Sequence, residues 1–330
     1  MKALVTGGGG FLGGAIVRHL LDRGDTVTSF SRGSYPDLEK MGVRHVQGDL
    51  SDLDDVSRAV AGCDTVFHVG AKAGPWGDYD DYYRANVVGT QNVITACMME
   101  GVRRLVYTSS PSVVFNGEDM EGVNESVPYA CHFEAHYPQT KAIAERMVLE
   151  ANNHEMATVA LRPHLIWGPG DNNLVPRLVE KARAGRLRII GRGDNLIDIV
   201  YVDNAAQAHL KAADRLNPGS PIAGKAYFIS NGDPRPISEV IDRVMQAYGL
   251  PPVRRKIPAR VAYAGGWVLE SLYRLLRIDG EPLVTRFLAR ELSTSHWFDI
   301  SAARKDFGYV PEINFEKGIE MLVEYNGQTT

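Results

Sequence analysis

The sequence holds a single tyrosine followed four residues later by a lysine, Tyr137 and Lys141 in "HYPQTKAIAERM". Residues four apart on a helix share a face, and Pro138 suits the first turn of such a helix. A phenol is a poor acid–base near neutrality because its unperturbed pKa is about 10. A neighbouring ammonium favours the phenolate and lowers that value. The pair therefore suits proton transfer to a carbonyl or from an alcohol. With 14 Tyr and 10 Lys in 330 residues, chance alone gives roughly 0.4 such pairs, so placement in the fold must carry the reading. Ser109 and Ser110, in "YTSSPSVVF", could donate a hydrogen bond to a substrate oxygen. Serines leaving a strand also serve as plain turn caps.

A second kind of chemistry lies at the start of the chain, in "TGGGGFLGG" (Thr6 to Gly14). Two registers fit, Gly8-x-Gly10-x-x-Gly13 and Gly7-x-x-Gly10-x-x-Gly13. Between a strand and a helix, such glycines open a tight turn, let the backbone approach a pyrophosphate, and let the helix pack closely on the sheet. The phosphates then meet the N–H groups and positive end of that helix. The apolar "KALVT" before the glycines and the amphipathic "FLGGAIVRHLLDRG" after them supply this context, which a flexible N-terminal arm would lack. About 20 residues on, NAD binders place a carboxylate for the ribose 2′-hydroxyl, whereas an Arg there suits the 2′-phosphate of NADP. Here "SFSRGSYPD" puts Ser31 and Arg32 at that place, and Asp37 and Glu39 come too late. NADPH is the expected cofactor, although an Arg on the surface after a strand is also commonplace.

The elements that must position these groups alternate. Strands are expected at 2–6, 26–30, 43–50, 64–71, 103–110 and 156–163, the third ending at Asp49. Helices are expected from Phe11 to the stop at Gly24, and over 53–62, 82–101 and 137–152. This rhythm implies right-handed crossovers and an α/β fold, a Rossmann-type doubly wound parallel sheet. Tyr137 then opens the helix after the fifth strand, and the two serines leave that strand at the carboxyl edge where such sheets bind ligands. After about residue 165 the rhythm weakens. A helix at 174–185, short strands "LRIIG" and "AYFIS", and a helix at 238–249 suggest a smaller α/β lobe. The expected division is an NADP-binding domain over 1–165 and a substrate-binding lobe over 166–330, with the chain crossing back around 190–215.

Bulk properties narrow the class. A net charge of −4 gives no footprint for nucleic acid. Cys63, Cys97 and Cys131 are widely spaced, so neither a disulfide framework nor a metal site is expected, and a reducing, cytoplasmic setting is the default. No secretory leader is expected ahead of the first strand. No run approaches the roughly 18 apolar residues of a membrane span.

Taken together, Thr6-Gly7-x-x-Gly10-x-x-Gly13, "GDL" (48–50), Asn86-Val87-x-Gly89-Thr90, "YTSS", Tyr137-x-x-x-Lys141, "LRPHLIWGPGD" (161–171) and "YVDNAAQAH" (201–209) resemble the extended short-chain dehydrogenase/reductases. The resemblance runs through nearly the whole chain. It implies the Gly7, Gly10, Gly13 register, with Gly8 and Gly9 as slack. It implies that Asp49 and Leu50 border the adenine and that Phe11, Leu12, Ala71, Asn86 and Pro163 line the dinucleotide. It also implies that Ser110 orients a carbonyl, Tyr137 protonates it, and Lys141 tunes Tyr137 and holds the nicotinamide ribose. A homodimer through the helices at 82–101 and 137–152 follows from the same resemblance.

The substrate is narrowed by resemblance as well. Sugar-nucleotide dehydratases of this family carry an acid pair after the catalytic hydroxyl, where this chain reads Pro111-Ser112. The segment 260–300 is apolar and aromatic. It could wall a channel for a hydrocarbon tail, rest on a membrane surface, or merely pack. The combination looks like the sterol-type branch. It is more closely similar to bacterial reductases of 2-alkyl-3-ketoacids in long-chain olefin formation. That similarity implies reduction to the 2-alkyl-3-hydroxy acid and association with the pathway's other enzymes. His132, His136 and Lys72 are candidates to meet a substrate carboxylate. Rival readings are a 3β-hydroxysteroid or sterol-4-carboxylate dehydrogenase using NAD(P), a sugar-nucleotide epimerase-like enzyme, and a dinucleotide-binding sensor without turnover.

Overall fold

A computed structural model describes residues 1–329. Seven parallel strands form its central sheet: β1 (Lys2–Thr6), β2 (Thr26–Ser31), β3 (Arg44–Gln47), β4 (Thr65–His68), β5 (Arg104–Thr108), β6 (Ala157–Pro163) and β7 (Lys225–Ile229). Their order is β7-β6-β5-β4-β1-β2-β3. The chain builds outward from β1 through β2 and β3, then returns to the other side of β1 with β4. The carboxyl ends of β1 and β4 therefore flank the switch point, where open α/β sheets hold ligands. Every residue of β6 is buried, as expected of a strand covered on both faces.

Helices cover both faces: α1 (Phe11–Asp22), α2 (Leu53–Val60), α3 (Gly89–Met99), α4 (His136–Glu150) and α5 (Val202–Arg215). Asp52 caps α2 by accepting from Asp54 N and Asp55 N, the side-chain capping that frees the first turn from unpaired donors. α5 presents Ala205, Ala208 and Ala212 to the core and packs on α1. Small side chains permit that close approach.

Three departures from the sequence reading have physical causes. The third strand ends at Gln47, before Asp49, because Asp49 turns to accept from Ser51 N and Ser51 Oγ. The helix expected over 82–101 is a short helix at Tyr79–Tyr82, an i→i+5 turn at Tyr83–Val88, and then α3. Such π turns often mark functional sites, and this one holds Asn86. The strand "AYFIS" belongs to the central sheet as its edge β7, paired with β6 from Lys225↔Val159 to Ile229↔Pro163.

A second, four-stranded sheet joins Arg235–Pro236, Leu196–Ile197, His296–Phe298 and Met120–Val123. It combines a segment from the first half of the chain with three from the second. In the same half of the chain α6 (Ala259–Leu276) and α7 (Arg286–Glu291) pack on each other. They meet at Gly266, where a Cβ would lie 2.7 Å from the Thr285 carbonyl carbon. Glu270 of α6 accepts from Arg286 N at 2.6 Å and from its guanidinium at 2.8 Å and 2.9 Å, which locks the two helices together. Among the described residues no helix is long and apolar enough to cross a membrane.

Candidate active site

The glycine loop is fixed by crowding. Gly7 has φ +70°, the left-handed region that favours glycine. Its N–H donates to Phe30 O at 2.7 Å, and a Cβ there would sit 3.0 Å from Gly70 Cα. At Gly13 a Cβ would lie 2.1 Å from Gly7 O, so the first turn of α1 can press on the loop only with glycine there. Gly10 is less confined, its nearest contact being Gly7 O at 3.1 Å. Gly8, expected to be slack, is not: a Cβ would meet Ser29 Oγ at 2.4 Å. Gly9 lies beneath the Tyr35 ring, where a Cβ would come within 2.3 Å of Tyr35 Cζ, and no sequence signal pointed to Tyr35. Gly13→Ala should raise the dissociation constant of the nicotinamide dinucleotide about tenfold or more, since relieving such overlap costs about 1–3 kcal/mol. A fluorescence titration with the reduced dinucleotide checks this, and wild-type affinity would contradict it.

Thr6 pins the ends of β1 and β4 together. Its hydroxyl accepts from Val69 N and Gly70 N, each at 3.0 Å, and meets His68 Nδ1 at 2.8 Å. The far ring nitrogen of His68 meets Thr90 Oγ1 at 3.0 Å. Beyond this clamp opens a cavity of about 300 Å³ lined by Gly7, Gly10, Arg32, Asp49, Leu50 and Ala71. The Ser31 hydroxyl is buried without a hydrogen-bond partner. Arg32 is exposed and forms no ion pair among the described residues. α1 begins with neither a side-chain cap nor an acidic residue in its first turn. Phe11 and Leu12 bring the backbone of that turn to the loop, while the Leu12 side chain is buried in the core. An anion fits this arrangement: unpaired N–H donors, one hydroxyl in want of a partner, and one uncommitted guanidinium.

Asn86 and Lys72, also singled out in the sequence, have their polar groups already engaged. The Asn86 amide accepts from Lys72 N at 2.7 Å and donates to Lys72 O and Thr140 Oγ1, each at 3.0 Å. It ties the loop after β4 to α4. Lys72 donates to Asp81 Oδ2 at 2.6 Å, and His136 lies against Tyr79 and Tyr82. His132 is exposed. Leu50 supports Gly89, where a Cβ would be 2.8 Å from its own Cβ. Pro163 ends β6, buried beside the switch to the second half.

Ser110 follows β5, and Tyr137 and Lys141 lie on successive turns at the start of α4. Ser110 Oγ meets Ser112 Oγ at 2.8 Å and accepts from Ser112 N. Burial is the largest influence on the Tyr137 phenol, and the nearby Ser110 hydroxyl pulls that group's pKa down against it. Burial prevails and, with Glu291 and Tyr82 nearby, holds Tyr137 up at about 12. The sequence had suggested that the lysine would set this value. Instead the Lys141 ammonium donates to Thr108 O at 2.5 Å and lies 4.1 Å from the centre of the Tyr107 ring. Burial depresses Lys141 itself to about 7, with Glu145 opposing. At both residues desolvation outweighs the neighbouring groups, as expected of a dry site. Burial likewise raises the Glu291 carboxyl, at the end of α7, to about 7. Glu291 escaped the sequence reading because it lies far along the chain.

The segment 260–300 is only partly spent on packing: Ala262, Phe287, Ala289, Phe298 and Ile300 are buried. α6 leaves Val261, Trp267, Val268, Leu272, Leu275 and Leu276 exposed.

A model of the 3-beta hydroxysteroid dehydrogenase/isomerase family matches residues 4–259, and the chain belongs to that family. The matched span ends where α6 starts. Within that class the chain is 55% identical over 324 residues to a 2-alkyl-3-oxoalkanoate reductase of Stenotrophomonas maltophilia (strain K279a), covering 98% of each. It is 51% identical over 328 residues to a protein of the same description from Shewanella oneidensis, covering 97% of this chain and 85% of the relative. In fold it is similar to the UDP-glucuronic acid 4-epimerase from Bacillus cereus in complex with NAD, at 22% identity and a TM-score of 0.77, covering 100% of this chain and 99% of that one.

Proposed function

We propose that this protein reduces the C3 ketone of a long-chain 2-alkyl-3-ketoacid with NADPH, giving the 2-alkyl-3-hydroxy acid used in long-chain olefin formation. The observation that supports the chemistry is the convergence of Ser110, Tyr137 and Lys141 beside the carboxyl end of β5. The similarity to two 2-alkyl-3-oxoalkanoate reductases supports the substrate class.

Gly7, Gly10, Gly13 and the backbone at Phe11 and Leu12 would hold the pyrophosphate. Ser31 and Arg32 would hold the 2′-phosphate. Asp49 and Leu50 would border the adenine, and Ala71, Asn86 and Pro163 the other half of the cofactor. NADPH, when bound, supplies the hydride. Ser110 and Tyr137 donate hydrogen bonds to the substrate oxygen on which negative charge develops, where a preorganised donor has the greatest effect. Tyr137 passes its phenolic proton to that oxygen. A protonated Lys141 stabilises the phenolate left behind. The unperturbed phenol pKa being about 10 and its buried value higher, Tyr137 stays protonated until the substrate calls on it.

NADPH oxidation in the presence of a long-chain 2-alkyl-3-ketoacid tests this, with one hydroxy acid expected per NADPH consumed. Arg32→Asp should lower the NADPH-to-NADH ratio of kcat/KM values about tenfold or more, because it removes the partner of the 2′-phosphate and places a like charge there. An unchanged ratio would remove Arg32 from the cofactor site. A sterol or 3β-hydroxysteroid alcohol is the alternative substrate, which the family description favours. Cytoplasmic location and a homodimer through the faces of α3 and α4 complete the proposal, together with association with other enzymes of the same pathway.

A further inference from the structure

α4 carries Tyr137, Lys141 and Glu145 at successive intervals of four, so all three lie on one face. Glu145 is fully buried, and Lys141 is 2% exposed. The Glu145 carboxylate accepts from Arg162 of β6 at 2.5 Å and 3.0 Å, and from Tyr129 Oη at 2.7 Å. Arg162 is also buried, its Nη1 has no hydrogen-bond partner, and its guanidinium lies 5.2 Å from the Phe228 ring centre. One carboxylate thus serves two buried cations. Arg162 takes it bidentately, and Lys141 has only its field.

We propose that Glu145 and Arg162 are positioning residues that act in opposite directions on Lys141 and so fix the charge it carries during turnover. The inference rests on the reading of Lys141 given above.

The surroundings of Lys141 leave few other groups to act. β4 contributes His68, which burial and the nearby Lys141 hold neutral, at about 3. β5 contributes the Tyr107 ring and the Thr108 carbonyl. α4 itself contributes Tyr137 and Glu145, and β6 contributes Arg162 only through its bonds to the Glu145 carboxylate. Tyr129 reaches the cluster from the loop before α4, and its hydroxyl is committed to Glu145. Glu145 is the one acidic side chain acting on Lys141 among the described residues. A pair that merely braced α4 against β6 would weaken the site in the same way whichever partner was removed. An electrostatic pair makes the two changes diverge. Loss of Glu145 leaves two buried cations and drives the Lys141 proton off. Loss of Arg162 frees the carboxylate for Lys141 and holds the proton on.

The test compares Glu145→Gln, Arg162→Met and the double variant in the full-length enzyme. Two readouts are used: the alkaline midpoint of kcat/KM for ketoacid reduction, and the titration of Lys141 by ¹³C NMR with labelled lysine. The midpoint should move down by about one pH unit in Glu145→Gln and up by a similar amount in Arg162→Met, as expected when a neighbouring charge or its counter-ion is removed. The double variant should lie between them. If Glu145→Gln does not fold, Arg162→Met against the double variant still isolates the carboxylate. Removal of both charges of a buried pair is commonly tolerated. Shifts in the same direction, or none in either readout, would overturn the proposal. A Lys141→Met enzyme with undiminished turnover would instead overturn the role of Lys141 itself. The NMR titration would still report whether the pair controls its charge.

Discussion

Tyr137→Phe should lower kcat for ketoacid reduction by about 10²–10⁴-fold, the usual worth of a positioned proton donor, while the reduced dinucleotide should bind as before. The phenol is the proton-bearing group placed near the Ser110 hydroxyl. Phenylalanine keeps the ring and its packing but removes that proton. The cofactor cavity lies against the glycine loop and is lined by other residues, so its affinity should be unaltered. Stopped-flow NADPH oxidation and a binding titration separate the two effects. Turnover at the wild-type rate would show that the proton comes from elsewhere.

Lys141→Met should make the enzyme slower and the fold more stable. The ammonium is held in a dry site, and burial brings its pKa from 10.5 down to about 7. The direction of the pH effect follows. Between about 7 and 10.5 the unfolded chain binds this proton more readily than the folded one, so stability rises with pH across that window. Below about 7 both states carry the proton, and the folded state bears the full cost of the buried charge. Methionine removes the cost and fills a similar volume. It forfeits the bond to Thr108 O, worth about 1 kcal/mol. The desolvation term is on the order of a few kcal/mol at a little over 1 kcal/mol per pKa unit, so it outweighs that loss. Melting at pH 6 should rise by about 2 °C or more, and the gain should shrink toward pH 10. kcat should fall about tenfold or more, as stability is exchanged for function at a strained site. A variant that melts lower at pH 6 than wild type would contradict the assignment.

What the sequence disclosed and what it hid follow from the range of the forces involved. The Tyr–Lys spacing and the glycine turn are local rules. Gly7 needs positive φ and Gly13 has no room for a side chain, and both constraints act within a few residues of one another. The alternation of strands and helices likewise comes from side-chain periodicity, which is read without knowing the neighbours. Gly8 reads as slack in the sequence because the atom that excludes its Cβ, Ser29 Oγ, belongs to β2. β7 was placed in the second half because its strand-like run does not say which sheet it will join. The Tyr137 pKa ran opposite to expectation because the burial that raises it comes from several elements at once. Arg162 and Glu145 are 17 residues apart in sequence, and nothing in either local stretch marks them as a pair.

The identity of the substrate is the central claim. The most direct test follows single-turnover NADPH oxidation by the purified protein with a long-chain 2-alkyl-3-ketoacid. A 3-ketosteroid and a UDP-4-keto sugar are run in parallel. The ketoacid is expected to be consumed stoichiometrically, with kcat/KM at least about a hundredfold above the other two, the discrimination that roughly 3 kcal/mol of differential transition-state binding provides. Faster reduction of the steroid or the sugar, or no ketoacid reduction at all, would contradict it.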